Sequence, residues 1–410
     1  MNVLGWIVLT ALIVNHLVAT IVGVLNLKAM KPALPEEFRE TFEEDSYVAS
    51  QRYTRAKTRL GIISDTTELV ILIGFWQAKG FQLLDEIVRS FGWSATITGI
   101  VYISALLLAQ SLAGLPFSIY QTFILEERFG FNRTTAATFI MDRLKGLVLS
   151  ALIGIPLIAV ILTFFSIAGD LAWLYSWILV VAFTLVMQYV APTLIMPLFN
   201  KFEPLVEGTL RNRILEMAER ARFPLKNVLI MDGSKRSSKS NAFFTGFGKQ
   251  KRIALFDTLV EQHTDEELVA VLAHEIGHYK KKHILQGMIV SVIHTGVLFF
   301  LLSQVLDYSP LFNAFYVTEP SVYTGLIFFG LLLSPVELIL GFLMNALSRH
   351  NEFVADRYAA ELTGNGEDLV AALKRLSRSN LSNLTPHPSF VRLYYSHPPV
   401  LARIQALRNL

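Results

Sequence analysis

The chain has 410 residues, of which 53% are hydrophobic and 17% are charged, and its formal net charge is +3. Soluble proteins average about 25% charged residues, so the composition favours a membrane protein, and the small net charge gives no argument for a nucleic-acid partner. Cysteine is absent, which excludes disulfides, thiolate metal ligands and a cysteine nucleophile, so any metal site must use His, Asp or Glu.

Seven apolar runs approach or exceed the roughly 20 residues that a bilayer crossing needs. The first run has no basic region before it and no small-residue cleavage site, so we interpret it as a retained helix rather than a signal peptide. A polar insert of about 90 residues separates the fifth run from the sixth. The runs lie near residues 3–26, 60–82, 93–117, 146–167, 172–194, 286–306 and 322–346.

Positive charge alternates between the loops that join these runs. Residues 27–59 carry seven Lys or Arg and residues 121–145 carry four, whereas residues 167–170 and 307–321 carry none. The insert and the C-terminal segment are also rich in Lys and Arg. By the positive-inside rule, this alternation predicts an N-terminus outside the cell and an insert and C-terminus in the cytosol.

Ionisable residues also lie within or beside the apolar runs, namely Asp65, Glu68, His294 and Glu337. Such residues rarely face lipid, because a charge in hydrocarbon is costly. Two interpretations stay open. The residues line a polar internal cavity, or they are helix-end residues together with satisfied interhelical pairs.

The polar insert predicts a small sheet followed by a helix. Three short strands are expected at 228–232, 241–244 and 252–256, with Gly246, Gly248 and the Lys249-Gln250 pair forming the turn between the last two. Thr264-Asp-Glu-Glu267 is typical of a capping box at the start of a helix that continues to about Tyr279. We therefore divide the chain into four parts: 1–194 with five membrane helices, the insert 195–285, 286–346 with helices six and seven, and a C-terminal segment 347–410.

The predicted helix contains His274-Glu-Ile-Gly-His278. Residues four apart share a helix face, so His274 and His278 can bind one zinc ion, whereas Glu275 is offset and can instead take a proton from the water that the zinc activates. Zinc lowers the pKa of such water to about 7, which makes amide hydrolysis possible at neutral pH. The alternative is a chance occurrence of the pattern.

Three downstream residues are candidates for the third ligand: His350, Glu352 and Asp356. Glu352 and Asp356 are four apart on a predicted helix, so one carboxylate can bind zinc while the other accepts a hydrogen bond from a ligating histidine. We favour Glu352 as the ligand, because two histidines and a glutamate form a known catalytic zinc set. The alternative is a solvated helix face. A metzincin is excluded, since Lys281 and Ile284 stand where its Gly and third His would be.

Five motifs along the chain are together more specific than the zinc motif alone. They are Ser240–Phe247, Lys251–Leu259, His274–His278, Ser348–Asp356, and Tyr395–Pro399 together with Arg403. Through these motifs almost the whole chain resembles the type I CAAX prenyl protease family. Members of that family are membrane-embedded zinc endopeptidases that include the yeast a-factor-processing enzyme, and its eukaryotic members remove the last three residues of farnesylated proteins.

The resemblance implies a role for each matching residue. Glu352 would complete the zinc site, Asp356 would support a ligand, and the strand around Asn241 would pair with extended substrate. His397 would donate a hydrogen bond to the developing oxyanion, and Arg403 would help to bind substrate or to hold the local fold. The alternatives for the last two are a loop histidine and an ordinary helix-surface arginine.

The expected fold is therefore a mostly α membrane protein, with seven transmembrane helices enclosing a polar, water-filled chamber and a cytosolic gluzincin-like zinc peptidase region that contains a small β-sheet. We expect one Zn²⁺ per chain, a peptide or lipidated-peptide substrate, contact with the lipid bilayer, no nucleic acid and a monomer. The compact length and absent cysteine fit a bacterial inner-membrane protein; a eukaryotic one would lie in the endoplasmic reticulum.

The expected activity is hydrolysis of peptide bonds near the C-terminus of prenylated CAAX-type or other membrane-associated peptides. The alternatives are a quality-control protease without a prenylated substrate, and a seven-helix transporter or receptor with a structural zinc, which would leave Glu275 without a role. An intramembrane protease with its zinc at mid-bilayer is disfavoured, because the segment Tyr279–His283 after the motif is too charged.

Overall fold

A computed structural model describes residues 1–245 and 251–410, so the predicted turn residues Gly246, Gly248, Lys249 and Gln250 lie outside the described part. Most of the described chain is helical. The helices are, in chain order, α1 (Val3–Ala29), α2 (Glu44–Gln77), α3 (Gly80–Arg89), α4 (Ala95–Tyr120), α5 (Ala136–Ile167), α6 (Ala172–Val190), α7 (Met196–Phe199), α8 (Thr209–Arg220), α9 (Asp257–Gln262), α10 (Asp265–Lys280), α11 (His283–Val305), α12 (Ser309–Ala314), α13 (Val322–Thr363), α14 (Glu367–Ser379), α15 (Pro388–Tyr394) and α16 (Val400–Arg408).

Seven helical segments of the described chain are long and apolar enough to cross a membrane, which confirms the predicted number. They contain α1, α2, α4, α5, α6, α11 and α13. Short π-helical turns extend the third segment to Glu126 and join α6 to α7, so the fifth ends at Phe199. Six of the seven predicted runs lie within these segments to within two residues. The second run, 60–82, overlaps α2 but extends five residues past its end at Gln77 and into α3, and α2 begins at Glu44 with a polar first half, well before the run.

Helix α13 is much longer than a membrane is thick. Its 42 residues span about 63 Å at 1.5 Å per residue, roughly twice the ~30 Å hydrocarbon core. Its C-terminal part therefore projects beyond the bilayer as a continuous helix. Because a helix interior is stiff, residues on this extension are held at fixed positions relative to the membrane span.

The ends of the spans gather into two separate groups, as alternating crossings require. At one end, Trp76 at the end of α2 donates a hydrogen bond to the carbonyl of Ala314, and Asn2 donates one to the carbonyl of Pro310. An apolar core closes this end. Its fully buried aromatic side chains are Trp76, Tyr102, Phe312, Phe315 and Phe328.

The opposite end carries the polar insert and the C-terminal helices, which share a second core. Amphipathic α8 and α14 pack against α10, so that Ile214, Leu268 and Val370 are fully buried together. The start of α5 is attached to the insert, since Arg236 forms a bidentate ion pair with Asp142 at 2.7 and 2.9 Å. The insert is therefore fixed to the helix bundle and not tethered loosely to it.

The insert contains a four-stranded mixed sheet. The strands are β1 (Phe202–Pro204), β2 (Leu225–Met231), β3 (Ala242–Thr245) and β4 (Lys251–Phe256), in the spatial order β1-β2-β4-β3. Three of them lie where strands are predicted; β1 is not predicted, because three residues ending in proline carry no strand pattern. Strand β2 is parallel to β4 and β3 is antiparallel to it, so β3 forms one edge of the sheet.

The predicted capping box starts α10. The Thr264 side chain accepts a hydrogen bond from the backbone N–H of Glu267, and the Glu267 side chain accepts one from the N–H of Thr264. Gly277 then allows α10 to approach α13 closely. A Cβ atom added at Gly277 would lie 3.1 Å from both the Cα and the carbonyl oxygen of Ala355, which is tighter than ordinary packing.

Two of the ionisable residues on the spans form an interhelical pair. His294 Nε2 is 3.2 Å from Glu337 Oε1, and both side chains are partly exposed, at 34 and 46%. A cavity of about 610 Å³ lies against α1, α2 and the C-terminal segment, and Asp65 is one of its lining residues. The pair is thus seen for His294 and Glu337 and a cavity for Asp65, whereas a single chamber enclosed by all seven spans stays a prediction.

The close approach at Gly277 predicts a loss of stability in Gly277→Ala. The added methyl group meets backbone atoms that cannot rotate away, and overpacking of this kind costs about 1–3 kcal/mol. The thermal midpoint of the purified protein should fall by several degrees. Gly287→Ala on α11 is the matched control, because nothing lies within 4 Å of an added Cβ there, and its midpoint should not fall. Equal midpoints for the two variants would contradict the close contact.

Candidate active site

Helix α10 directs two histidines at the same point. His274 and His278 stand one turn apart, and their Nε2 atoms lie 3.1 Å from each other. His274 is buried, whereas His278 is partly exposed, so the pair lies at the boundary between the insert core and accessible space. The spacing of the motif therefore places both side chains as predicted.

Helix α13 supplies a carboxylate to the same point. Glu352 Oε1 lies 3.2 Å from His278 Nε2, and Glu352 Oε2 lies 3.5 Å from His274 Nε2. Donor atoms about 2.0–2.1 Å from one tetrahedral ion would stand about 3.3 Å apart, close to these separations. Among the described residues, His274, His278 and Glu352 are the group whose donor atoms could hold a metal ion. The other two candidates, His350 and Asp356, are outside this group, and His350 is exposed.

The surroundings of one carboxylate oxygen of Glu352 also indicate that a cation binds here. Oε2 is buried and, within the described chain, receives no hydrogen bond of acceptable geometry, although His397 Nδ1 lies 2.8 Å and Arg403 Nη1 3.2 Å away. A buried carboxylate oxygen without a well-aligned partner is costly, and a metal ion would satisfy it. The residues therefore fit a divalent metal.

Asp356 and Arg403 lie behind His274. Asp356 Oδ1 is 2.8 Å from His274 Nδ1, and the Arg403 guanidinium donates two hydrogen bonds to Asp356, at 2.8 and 2.6 Å. Arg403 is 8% exposed and Asp356 is 2% exposed. A carboxylate at Nδ1 leaves Nε2 free to bind a metal and fixes the ring orientation, the arrangement expected of a partner to a metal ligand.

The surroundings change the acid–base properties of two neighbouring residues. Burial lowers the pKa of His274, but the hydrogen bonds to Asp356 and Glu352 outweigh burial and raise the pKa to about 9. The site therefore favours a positive charge, which a bound metal ion would supply. Burial raises the pKa of Glu275 above its ordinary value, against the opposing charges of His274 and His278. A carboxylate with a raised pKa is a stronger base.

His397 lies at the edge of the same group. It belongs to the segment between α15 and α16, and 65% of its side chain is exposed although its Nδ1 contacts Glu352. The next residue, Pro398, is buried and holds the segment against the protein. One side of the imidazole thus faces the cluster and the rest of the side chain faces open space.

Asn241 lies outside this cluster. It is exposed, immediately before edge strand β3, and its backbone carbonyl accepts a hydrogen bond from the N–H of Phe256 at 3.0 Å. Its side chain accepts a hydrogen bond from the N–H of Ala242. The described part of the chain shows no hydrogen bond or ion pair between Asn241 and the metal-binding group.

Two contacts of the cluster are not predictable from residue spacing. The pairing of Arg403 with Asp356 joins residues 47 apart on different helices. His283 contacts His278 across the break between α10 and α11, with their Nδ1 atoms 3.0 Å apart. The sequence gives only a weak signal for the second contact. His283 lies five residues after His278, which on a continuous helix is off the face that His278 occupies, so the contact depends on the turn between α10 and α11.

Comparisons with known proteins cover both halves of the chain. The family described as "CAAX prenyl protease N-terminal, five membrane helices" matches residues 23–201, and "Peptidase family M48" matches residues 204–410. A "CAAX prenyl protease 1 homolog" from rice is 35% identical, with 98% of this chain and 96% of the relative covered. "CAAX prenyl protease 1" of Saccharomyces cerevisiae is 35% identical, with 93% and 89% covered.

A solved structure agrees with the fold. The crystal structure of S. mikatae Ste24p covers 99% of each chain with a TM-score of 0.91 and 33% sequence identity. The predicted membrane fold, the resemblance and the peptidase activity are thereby confirmed, and a transporter or receptor is excluded. The chain belongs to peptidase family M48 and is a multi-pass membrane metalloendopeptidase.

Proposed function

We propose that this protein is a zinc endopeptidase that cleaves peptide bonds near the C-terminus of prenylated CAAX-type or other membrane-associated peptides. The observation that carries the proposal is the meeting of His274, His278 and Glu352 beside Glu275, in a chain whose relatives are named CAAX prenyl proteases over more than nine-tenths of its length. The relatives support the proposed substrate class, and the group of metal-binding residues beside Glu275 supports the proposed hydrolysis.

In this proposal His274, His278 and Glu352 hold the metal. Zinc, when bound, acts as a Lewis acid on the scissile carbonyl and lowers the pKa of water. Asp356 keeps His274 in the tautomer whose Nε2 is free, and Arg403 holds Asp356 in place through its two hydrogen bonds. Because Arg403 is buried against these carboxylates, we propose a positioning role for it in preference to direct substrate contact.

Glu275 is the proposed general base and acid. Its carboxylate takes a proton from the attacking water and then transfers that proton to the amine nitrogen of the leaving peptide. The raised pKa of Glu275 favours the first of these transfers, because it increases the affinity of the carboxylate for a proton. His397, with one nitrogen against Glu352 and an exposed face, would donate a hydrogen bond to the carbonyl oxygen as negative charge develops on it.

We propose that substrate adds to edge strand β3. In the described sheet β3 pairs with β4 on one side, so its other side offers backbone N–H and C=O groups to an extended peptide. Asn241 lies at the start of this edge, exposed to such a peptide. Strand addition fixes the backbone of the substrate and tolerates many side chains.

The Lys and Arg distribution supports a cytosolic insert and C-terminus, and hence an active site that faces the cytosol. The membrane would be the bacterial inner membrane or, in a eukaryote, the endoplasmic reticulum. A chamber between the spans, as the resemblance implies, would be available to membrane-associated substrate.

The role of Glu275 predicts a separation of metal binding from catalysis. Glu275→Gln removes the base but none of the three metal-binding side chains, so the metal content should stay at one ion per chain while kcat falls by about 10²–10⁴. Glu266→Gln is the control, since this exposed residue of the first turn of α10 pairs with Arg213 and should leave cleavage unchanged. Unaltered cleavage in Glu275→Gln would refute the assignment.

The metal and the substrate class can be tested in one assay. Mass spectrometry of a farnesylated CAAX peptide incubated with the purified protein should detect removal of the three C-terminal residues. A zinc chelator should abolish this product, and added Zn²⁺ should restore it. The same peptide without its farnesyl group tests the lipid requirement. Full activity in a protein stripped of metal would contradict the proposed reaction.

The orientation can be tested by single cysteine labelling, because the natural chain has no cysteine. Asp170→Cys, in the exposed turn between α5 and α6, should react with a membrane-impermeant maleimide from outside intact cells. Val206→Cys, 81% exposed in the insert, should react after permeabilisation. The reverse labelling pattern would overturn the cytosolic placement.

A further inference from the structure

The two histidines of the motif have different partners behind them. His274 Nδ1 contacts the carboxylate of Asp356, whereas His278 Nδ1 lies 3.0 Å from Nδ1 of another histidine, His283. The ring planes of His278 and His283 meet at 74°, so they are not stacked and can form an in-plane hydrogen bond. His283 belongs to none of the groups used by the reaction described above.

The turn between α10 and α11 directs His283 back at His278. Helix α10 ends at Lys280 and α11 begins at His283, which leaves two residues for the connection. The second, Lys282, has φ +61° in the left-handed region, a conformation that costs a non-glycine residue of order 1 kcal/mol or more. Backbone hydrogen bonds from Lys281 to Gly277 and from Lys282 to Tyr279 hold this turn.

The proton positions on the two rings follow from their neighbours. His278 Nε2 faces Glu352 and His274, so Nε2 is the nitrogen available to a metal. A metal-binding imidazole is neutral, so its other nitrogen carries the hydrogen and donates. The acceptor within reach is Nδ1 of His283, which must then hold its own hydrogen on Nε2.

We infer that His283 is a positioning residue that accepts a hydrogen bond from His278 and so fixes the ring and tautomer of this metal-binding side chain. This inference rests on the proposed metal site. Nothing in the proposed reaction brings His283 into contact with substrate, so its effect is transmitted through His278 alone.

The charges around the cluster explain why a neutral partner fits here. Glu275, Glu352 and Asp356 carry three formal negative charges and Arg403 carries one formal positive charge, so the surplus among these four residues equals the charge of one divalent cation. A carboxylate at position 283, the common partner of metal-binding histidines, would add a fourth negative charge beside His278. A neutral imidazole accepts the hydrogen bond without this cost.

The test measures metal affinity in the full-length protein in detergent, by competition with a chromophoric chelator. His283→Leu keeps much of the volume and removes the acceptor, so the Kd for Zn²⁺ should rise 10–100-fold. His283→Asn places an amide oxygen where Nδ1 was, so its Kd should stay within a few-fold of wild type. His350→Ala is the control, because His350 lines the same cavity of about 550 Å³ as His283 and should leave the Kd unchanged.

A second readout separates positioning from loss of structure. The visible spectrum of the Co²⁺-substituted protein should change in His283→Leu and be recovered in His283→Asn, while the thermal midpoints of the metal-free variants should agree. Wild-type affinity in His283→Leu, or an equal loss in both variants, would overturn the inference. Retained metal binding in Glu352→Gln would instead contradict the metal site itself, so the two failures are distinguishable.

Discussion

The site depends on the close contact between α10 and α13 at Gly277 and Ala355. At this crossing the backbones are near enough for a new Cβ to lie 3.1 Å from the neighbouring helix. His274 and His278 flank the glycine on one helix, and Glu352 and Asp356 flank the alanine on the other. The segment His274–His278 therefore contributes in two ways. Its histidines provide metal-binding nitrogen atoms, and its glycine lets α10 approach α13 closely enough for those atoms to lie beside Glu352.

The two helices also connect the chemistry to the membrane. Helix α13 is a membrane span that continues into the insert region, so Glu352 and Asp356 are carried by the same helix that crosses the bilayer, on the part that follows Pro335. Helix α10 is held by the insert core on one side and joins span α11 through a two-residue turn on the other. The cluster is thus fixed at the junction of the two regions, where a substrate with a lipid part and a peptide part can contact both.

Local patterns gave correct predictions where a short segment decides the structure. Hydropathy identified seven spans, the capping box identified the start of α10, and the i, i+4 spacing put Glu352 and Asp356 on one face. Contacts made by distant segments were not predictable in this way. The pairing of Arg403 with Asp356 depends on the path of the C-terminal chain, and the contact of His283 with His278 depends on a left-handed residue, Lys282, for which lysine gives no signal.

The two apolar cores do not include all of the spans. The core around Trp76 contains buried residues of α1, α2, α4, α5 and α13, and the core of the insert contains buried residues of α2 and α13. Neither contains a described buried residue of α6 or α11, which contact each other through a 2.9 Å hydrogen bond from Trp177 to the carbonyl of Val292 and a close approach of Trp177 to Gly296. Helices α6 and α11 therefore form a pair at the side of the bundle, and lateral pressure or a change in bilayer thickness acts on this pair more readily than on the spans that share a core.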